Sequence, residues 1–300
     1  MDALLRSNLC HQEQLESETF RAWIAEAREP FRHHRKQWEY AFISQALQER
    51  GMLAPGMRGL GFGVGREPLA AIFAARGCQV VATDLDFERA RSAGWVATSQ
   101  HAASLEALNE RAICEPGAFR ERVSFRVADM NHVPRDLREF DFTWSACSLE
   151  HLGSIATGLR FVERSLDCLR PGGVAVHTTE FNLSSDEGTI DNNPSVVLFR
   201  RRDLEAFARR LNARGHELCL DLTPGRRVAD EFVDLPPYPG SSWEEGWNEG
   251  GPRYHLRLEW DGYVTTSVGL IIRKAGAGAI RNAVRNLLSS HRHKRLAQAG

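Results

Sequence analysis

The residues best placed to do chemistry fall in a few short stretches. Gly61, Gly63 and Gly65 form a G-x-G-x-G turn in RGLGFGVGREPL, followed at once by Arg66, Glu67 and Pro68. Asp84 closes the apolar run CQVVATD, with Leu85 after it, and Asp129 and Met130 close VSFRVADM. Glu150 and His151 lie in SACSLEHLGS beyond Ala146, and His177 and Glu180 lie in VAVHTTEFN. Glycines let a ligand lie against the main chain, and the helix start expected after the turn favours an anionic group. A strand-end carboxylate such as Asp84 can accept both hydroxyls of a ribose, and Asp129 can accept from an adenine amino group with Met130 beside the ring. Histidine is the usual proton acceptor near neutral pH, which makes His151 the candidate general base. Glu180 is a candidate ligand for a sugar hydroxyl, a second candidate base, or, with Glu150, an oxygen ligand for Mg²⁺. Nothing in the spacing demands a metal.

Each of these has a plainer alternative: a tight bend, a solvated strand-end acid, a structural or helix-capping histidine. His177 and Glu180 are three residues apart, so on a regular strand they face opposite sides, and His177 reads as a packing residue. The glycine turn is not a dinucleotide fingerprint, because Arg66 occupies the position where a third small residue allows close helix packing. Nor is it a P-loop, which needs G-K-[ST]. Pro68 suits the first helical position, which makes Glu67 the expected N-cap.

The elements that must position these residues alternate in type. Apolar runs GLGFG, CQVVATD, VSFRVAD, FDFTWSA, VAVHTTE, HELCLDL and YVTTSVGLII alternate with helical patterns at 68–76, 87–92, 155–169 and 202–212. Strands alternating with helices predict an α/β, doubly wound, seven-stranded sheet with helices on both faces. Upstream, Phe20, Trp23, Ile24 and Ala27 recur at helical spacing, Pro30 interrupts, and Trp38, Phe42, Ile43, Ala46 and Leu47 resume it. The organisation is therefore an N-terminal helical segment (1–50), a ligand-binding domain (51–274) with an irregular insertion (236–253), and a tail (275–300).

Composition narrows the class. The chain has 300 residues, 42% hydrophobic and 26% charged, with a formal net charge of -1, which argues against a nucleic-acid partner. No apolar run is long enough to span a membrane, and the first residues do not read as a signal peptide, so a cytoplasmic location is expected. The six cysteines show no C-x-x-C spacing and read as buried, reduced thiols. The insertion is acidic and carries Trp243 and Trp247, candidates for stacking on a sugar ring. From Arg273 onward there are seven Lys or Arg and no Asp or Glu, with Ile280, Val284, Leu287 and Leu288 on one helical face. That tail suits peripheral membrane contact, a partner, or a frayed end.

Taken together, GLGFGVGREPL, VVATDLD, VADMN, FDFTWSACSLEHLGS and LRPGGVAVHTTEF resemble the class I S-adenosylmethionine (SAM)-dependent methyltransferases over about residues 57–181. The resemblance implies a Rossmann-like fold whose last strand is inserted antiparallel. It implies SAM as cofactor and S-adenosylhomocysteine as product. It places Gly61, Gly63 and Gly65 at the methionine part, Asp84 at the ribose, Asp129 and Met130 at the adenine, and the SACSLEH segment at the sulfonium. Glu67, Leu85, Ala146 and Trp38 complete the expected cofactor-binding set, with Trp38 in a helix that lids the site. HTTEFNLSS and LPPY also resemble methyltransferases found among bacterial surface-glycan genes, which implies O-methylation of a sugar or other small polar acceptor. A nicotinamide-dependent oxidoreductase or epimerase, and a non-catalytic SAM-binding scaffold, are the alternatives.

Overall fold

The computed structural model describes residues 4–92, 101–102, 104–238 and 254–276. The Trp243 and Trp247 loop and the amphipathic tail lie outside the described residues. The apolar runs become strands β2 (Arg58–Phe62), β3 (Gln79–Asp84), β4 (Val123–Val127), β5 (Phe140–Ala146), β6 (Leu169–Asn182) and β10 (Tyr263–Arg273). Two short strands, β8 (Val233–Asp234) and β9 (Arg257–Trp260), complete an eight-stranded sheet in the order β4-β3-β2-β5-β6-β10-β9-β8. Among the described residues, β10 alone runs against the others: it is antiparallel to both β6 and β9, and β8 is parallel to β9.

Among the described residues the sheet has eight strands, where seven are expected from the sequence. HELCLDL forms no full strand of it: the run touches the end of β10 through an antiparallel bridge between Glu217 and Arg273, and its strand is β7 (Leu220–Asp221), paired with β1 (Ser7–Asn8) in a separate two-stranded sheet. Its alternating pattern buries Leu218 and Leu222 but leaves Glu217, Cys219 and Asp221 exposed, unlike the doubly covered central strands. The place beside β10 goes instead to β9. Asp261 and Gly262, both at positive φ (49° and 82°), close a two-residue hairpin between Trp260 and Tyr263. Asp-Gly is a strong local hairpin signal, and it brings β9 to the free edge of β10 without a crossover.

Helices cover both faces. One face carries α2 (Glu18–Glu26), α3 (Arg35–Glu49), α4 (Leu69–Ala75) and α6 (Pro116–Arg122), and its core holds Trp38, Phe42, Phe73, Phe142 and Trp144. The other carries α7 (Ile155–Asp167) and α8 (Arg201–Ala213) around Phe62, Phe161, Phe199 and Phe207. Strand order reverses between β2 and β5, the position at which open α/β sheets bind ligands beyond the strands' carboxyl ends.

Helix α3 packs against β5, β6 and β10. Its close approach depends on Gly269 of β10, where an added Cβ would lie 2.1 Å from Phe42 Cε1. Gly269→Ala is expected to push α3 off the sheet and cost about 1–3 kcal/mol, read as a lower denaturation midpoint in urea.

Candidate active site

The glycine turn leaves the end of β2 at the switch point. Gly63 and Gly65 both have positive φ (55° and 49°). A Cβ on Gly63 would lie 2.9 Å from Ser148 Oγ and 3.2 Å from Met130 Sδ, so the turn, the segment after β5 and Met130 meet there. Ser148 Oγ also donates to Gly63 O at 3.2 Å. Gly61 has a different task. Its Cβ would fall 2.4 Å from the Trp144 ring, so its missing side chain admits Trp144 to the core.

Asp84 is joined to the same turn. Its Oδ2 accepts from Gly65 N at 3.0 Å and its Oδ1 from Leu85 N at 2.8 Å, and burial pushes its carboxyl above the ordinary aspartate value. Leu85 is half-buried, and its carbonyl contacts His101 Nε2 at 2.9 Å. Arg66 is exposed at the surface and pairs with Glu110. Helix α4 starts one residue later than expected, with Pro68 in the flanking position and no side-chain cap. Glu67 is therefore not the N-cap. It is buried, and its Oε2 has no hydrogen-bond partner.

Asp129 caps the short 3-10 turn Met130–His132 through Asn131 N at 2.8 Å. Its other oxygen receives Arg89 Nη2 at 2.7 Å and contacts His132 Nδ1 at 3.1 Å. Burial would raise this carboxyl, but the bonds from His132, Asn131 and Arg89 hold it below the ordinary value. Three contacts on a carboxylate leave room for one more donor, such as an adenine amino group.

Beyond β5 and β6 lies a wall of buried polar groups. Cys147, at φ 44°, directs its thiol to Glu39 Oε1 at 3.0 Å, and Ser267 Oγ donates to the same oxygen at 2.5 Å. Lys36 Nζ stands 3.2 Å from Glu39 Oε2. Burial would raise the Glu39 carboxyl, but Lys36, Arg35 and these hydrogen bonds hold it low. Glu180 pairs with Arg35 and accepts from Thr265 Oγ1 at 2.9 Å. Glu150 accepts from Thr179 Oγ1 at 2.9 Å, and its Oε1 lies 3.8 Å from His151 Nε2. His151 Nδ1 donates to the Ser195 carbonyl, which leaves Nε2 as the basic nitrogen of the neutral ring.

The structure thus brings Glu150, Glu180 and His151 to one end of the sheet, together with Cys147. Ligand atoms of Cys147, Glu150 and Glu180 lie within 4.8 Å of one another. The set does not suit a hard cation. It offers two carboxylates, one already paired to Arg35, and a thiol that burial keeps protonated. Trp38 is engaged in the core: it is fully buried, its ring stacks on Phe42 and its Nε1 donates to Gln14 at 2.6 Å. The side chains of α3 that reach the buried polar wall are Arg35, Lys36 and Glu39. Sequence reasoning missed Arg35, Lys36, Cys147 and Ser267. The polar triplets TTS of β10 and TTE of β6, set in otherwise apolar strands, were the available signal.

Residues 60–177 match the family model described as a methyltransferase domain. No curated protein matches the chain. Among solved structures, phosphoethanolamine N-methyltransferase 2 of Haemonchus contortus, bound to phosphomonomethylethanolamine and S-adenosylhomocysteine, shares 23% identity, at a TM-score of 0.38. The alignment covers 55% of this chain and 34% of that one, so the chain spans about a third of that enzyme's length. A candidate sarcosine dimethylglycine methyltransferase of Galdieria sulphuraria shares 13% identity over 86% of this chain and 99% of that one, at a TM-score of 0.49. The YcgJ protein of Bacillus subtilis shares 14% over 77% and 97%, at 0.44. These likenesses assign no acceptor. Residues 60–177 are thus similar to a methyltransferase domain. The open backbone at Gly63 and Gly65, and the unpartnered buried oxygen of Glu67 beside them, fit a cofactor that carries cationic groups.

His177 stands apart from this site. It is fully buried, its Nδ1 2.8 Å from Ser145 Oγ and its Nε2 2.9 Å from Ser165 Oγ, and burial pushes its pKa down to about 3. Its folded value lies below the unfolded one, so its stabilising share is complete above about pH 6.5 and falls as the pH drops toward 3. Between about pH 7.5 and 5.5 the stability advantage of wild type over His177→Gln should shrink by about 1.4 kcal/mol, measured by urea denaturation.

Proposed function

We propose that the protein transfers the methyl group of SAM to a hydroxyl oxygen of a sugar or other small polar acceptor, with His151 as general base. The observation that carries this reading is His151 itself. Its Nδ1 is held by the Ser195 carbonyl, and its basic Nε2 lies beside the buried Glu150 at the switch point. Bound SAM supplies a methyl group on a positively charged sulfur. The chain's residues hold and orient the reactants, which is where most of the acceleration of an in-line displacement arises. Gly63 and Gly65 offer their backbone, Asp84 receives the ribose hydroxyls, and Asp129 with Met130, Leu85 and Ala146 line the adenine and sulfonium side.

Helix α3, with α1 (Gln12–Glu16) and α2 before it, serves as the cover over the site through Arg35, Lys36 and Glu39. With SAM bound, His151 Nε2 would take the proton of the acceptor hydroxyl while its oxygen receives the methyl group, the carbon–sulfur electron pair leaving with S-adenosylhomocysteine. Glu150, 3.8 Å away, stabilises the imidazolium that results. Glu150 and Glu180 are suited to accept hydrogen bonds from further hydroxyls of a polyol. A cytoplasmic location accords with six free cysteines, five of them buried.

Two variants test the two halves of the reading. Asp84→Ala should weaken SAM binding at least about tenfold by calorimetry; unchanged affinity would misplace the ribose. His151→Ala should bind SAM normally and lose about 10²–10⁴-fold in kcat with labelled SAM and a panel of glycans, assayed with and without EDTA. Full turnover by that variant removes the base, and labelling of amines alone removes the oxygen acceptor. SAM binding with no acceptor labelled would favour the scaffold alternative.

A further inference from the structure

Glu67 is a buried carboxyl with no use in the fold. It caps no helix, and its Oε2 is buried without a hydrogen-bond partner. Other charged and titratable groups face it from three sides, and most are committed elsewhere. From α3, Lys36 is paired with Glu39 at 3.2 Å, and Glu39 is further bonded to Cys147 and Ser267. Tyr40, on the same helix, is also close. From the end of β3, Asp84 is bonded to Gly65 N and Leu85 N. From the loop before α6, Arg111 is paired with Glu29 at 2.9 Å.

We propose that Glu67 receives the α-ammonium group of SAM, and that it releases a proton to solvent in doing so. This rests on the reading of the glycine turn as the methionine end of the cofactor site.

A carboxylate removed from water without a partner is costly, so in the free protein the group keeps its proton. Burial, with Glu39 and Asp84 nearby, favours the neutral form, and Lys36 and Arg111 only partly oppose it. A ligand cation reverses the balance: the carboxyl ionises, an ion pair forms with the ammonium, and one proton leaves for each cofactor bound. Glu67 is two residues beyond Gly65, the second positive-φ glycine of the turn, so a methionine moiety lying on that backbone brings its amino group within reach. SAM affinity should therefore strengthen as pH rises toward neutrality, below the range in which the ligand's own amino group deprotonates.

Calorimetry in two buffers of different ionisation enthalpy, at about pH 6.5, tests this with three ligands. SAM and S-adenosylhomocysteine carry the α-ammonium; methylthioadenosine keeps the ribose and adenine but lacks it. The first two should release more protons than the third, by up to one per site. Any proton from Asp84 appears with all three and cancels. Glu67→Gln should abolish the difference, weaken SAM at least about tenfold, and leave methylthioadenosine within about threefold. Equal proton release with methylthioadenosine, or release unchanged in Glu67→Gln, overturns the proposal. Wild type that binds none of the three overturns the cofactor-site reading beneath it. The three-ligand comparison on wild type stands even if the Gln variant does not fold.

Discussion

Three carboxylates, Glu39, Glu150 and Glu180, are buried at one end of the main sheet, and the rest of the site depends on how their charge is compensated. An isolated buried anion is costly, whereas one that is paired and hydrogen-bonded is tolerable. Helix α3 brings Arg35 to Glu180 and Lys36 to Glu39, and the strands bring Thr265, Thr179 and Ser267. The helix is held close by apolar contact: Phe42 seats over Gly269, and Trp38 stacks on Phe42. A single element thus fills the core with one side and neutralises the site with the other.

The glycine turn works by the same economy of space. Gly61 gives its side-chain volume to Trp144, while Gly63 and Gly65 adopt backbone angles that keep the turn tight against Ser148 and Met130. Asp84 ties the turn to the end of β3, and Ser148 ties it to the end of β5. These bonds span the point where the strand order reverses. The position of the site therefore follows from topology, and its polarity from the few side chains that close the gap.

The alternation of apolar runs and amphipathic segments is enough to read the α/β class and a mostly parallel sheet, whereas the antiparallel direction of β10 is implied by the family resemblance alone. A fully buried strand announces itself by continuous apolar character. HELCLDL has the pattern of a strand, but its strand is two residues long, half-exposed and paired with β1. The hairpin at Asp261 and Gly262 was legible in principle, through a dipeptide that favours positive φ at both positions.

The glycines, Asp84, Asp129, Glu150, His151 and Glu180 stood out in the sequence because each is a polar or glycine residue ending an apolar run, a purely local signal. The pairing of Arg35 with Glu180, and of Glu39 with Cys147 and Ser267, joins residues 145, 108 and 228 positions apart, and no local pattern encodes such a contact. The unpartnered oxygen of Glu67 is equally hidden. Sequence determines which residues are chemically able and which strand ends carry them. Whether a given side chain is paired, orphaned or walled into the core depends on what the fold packs against it, and only the tertiary structure decides that.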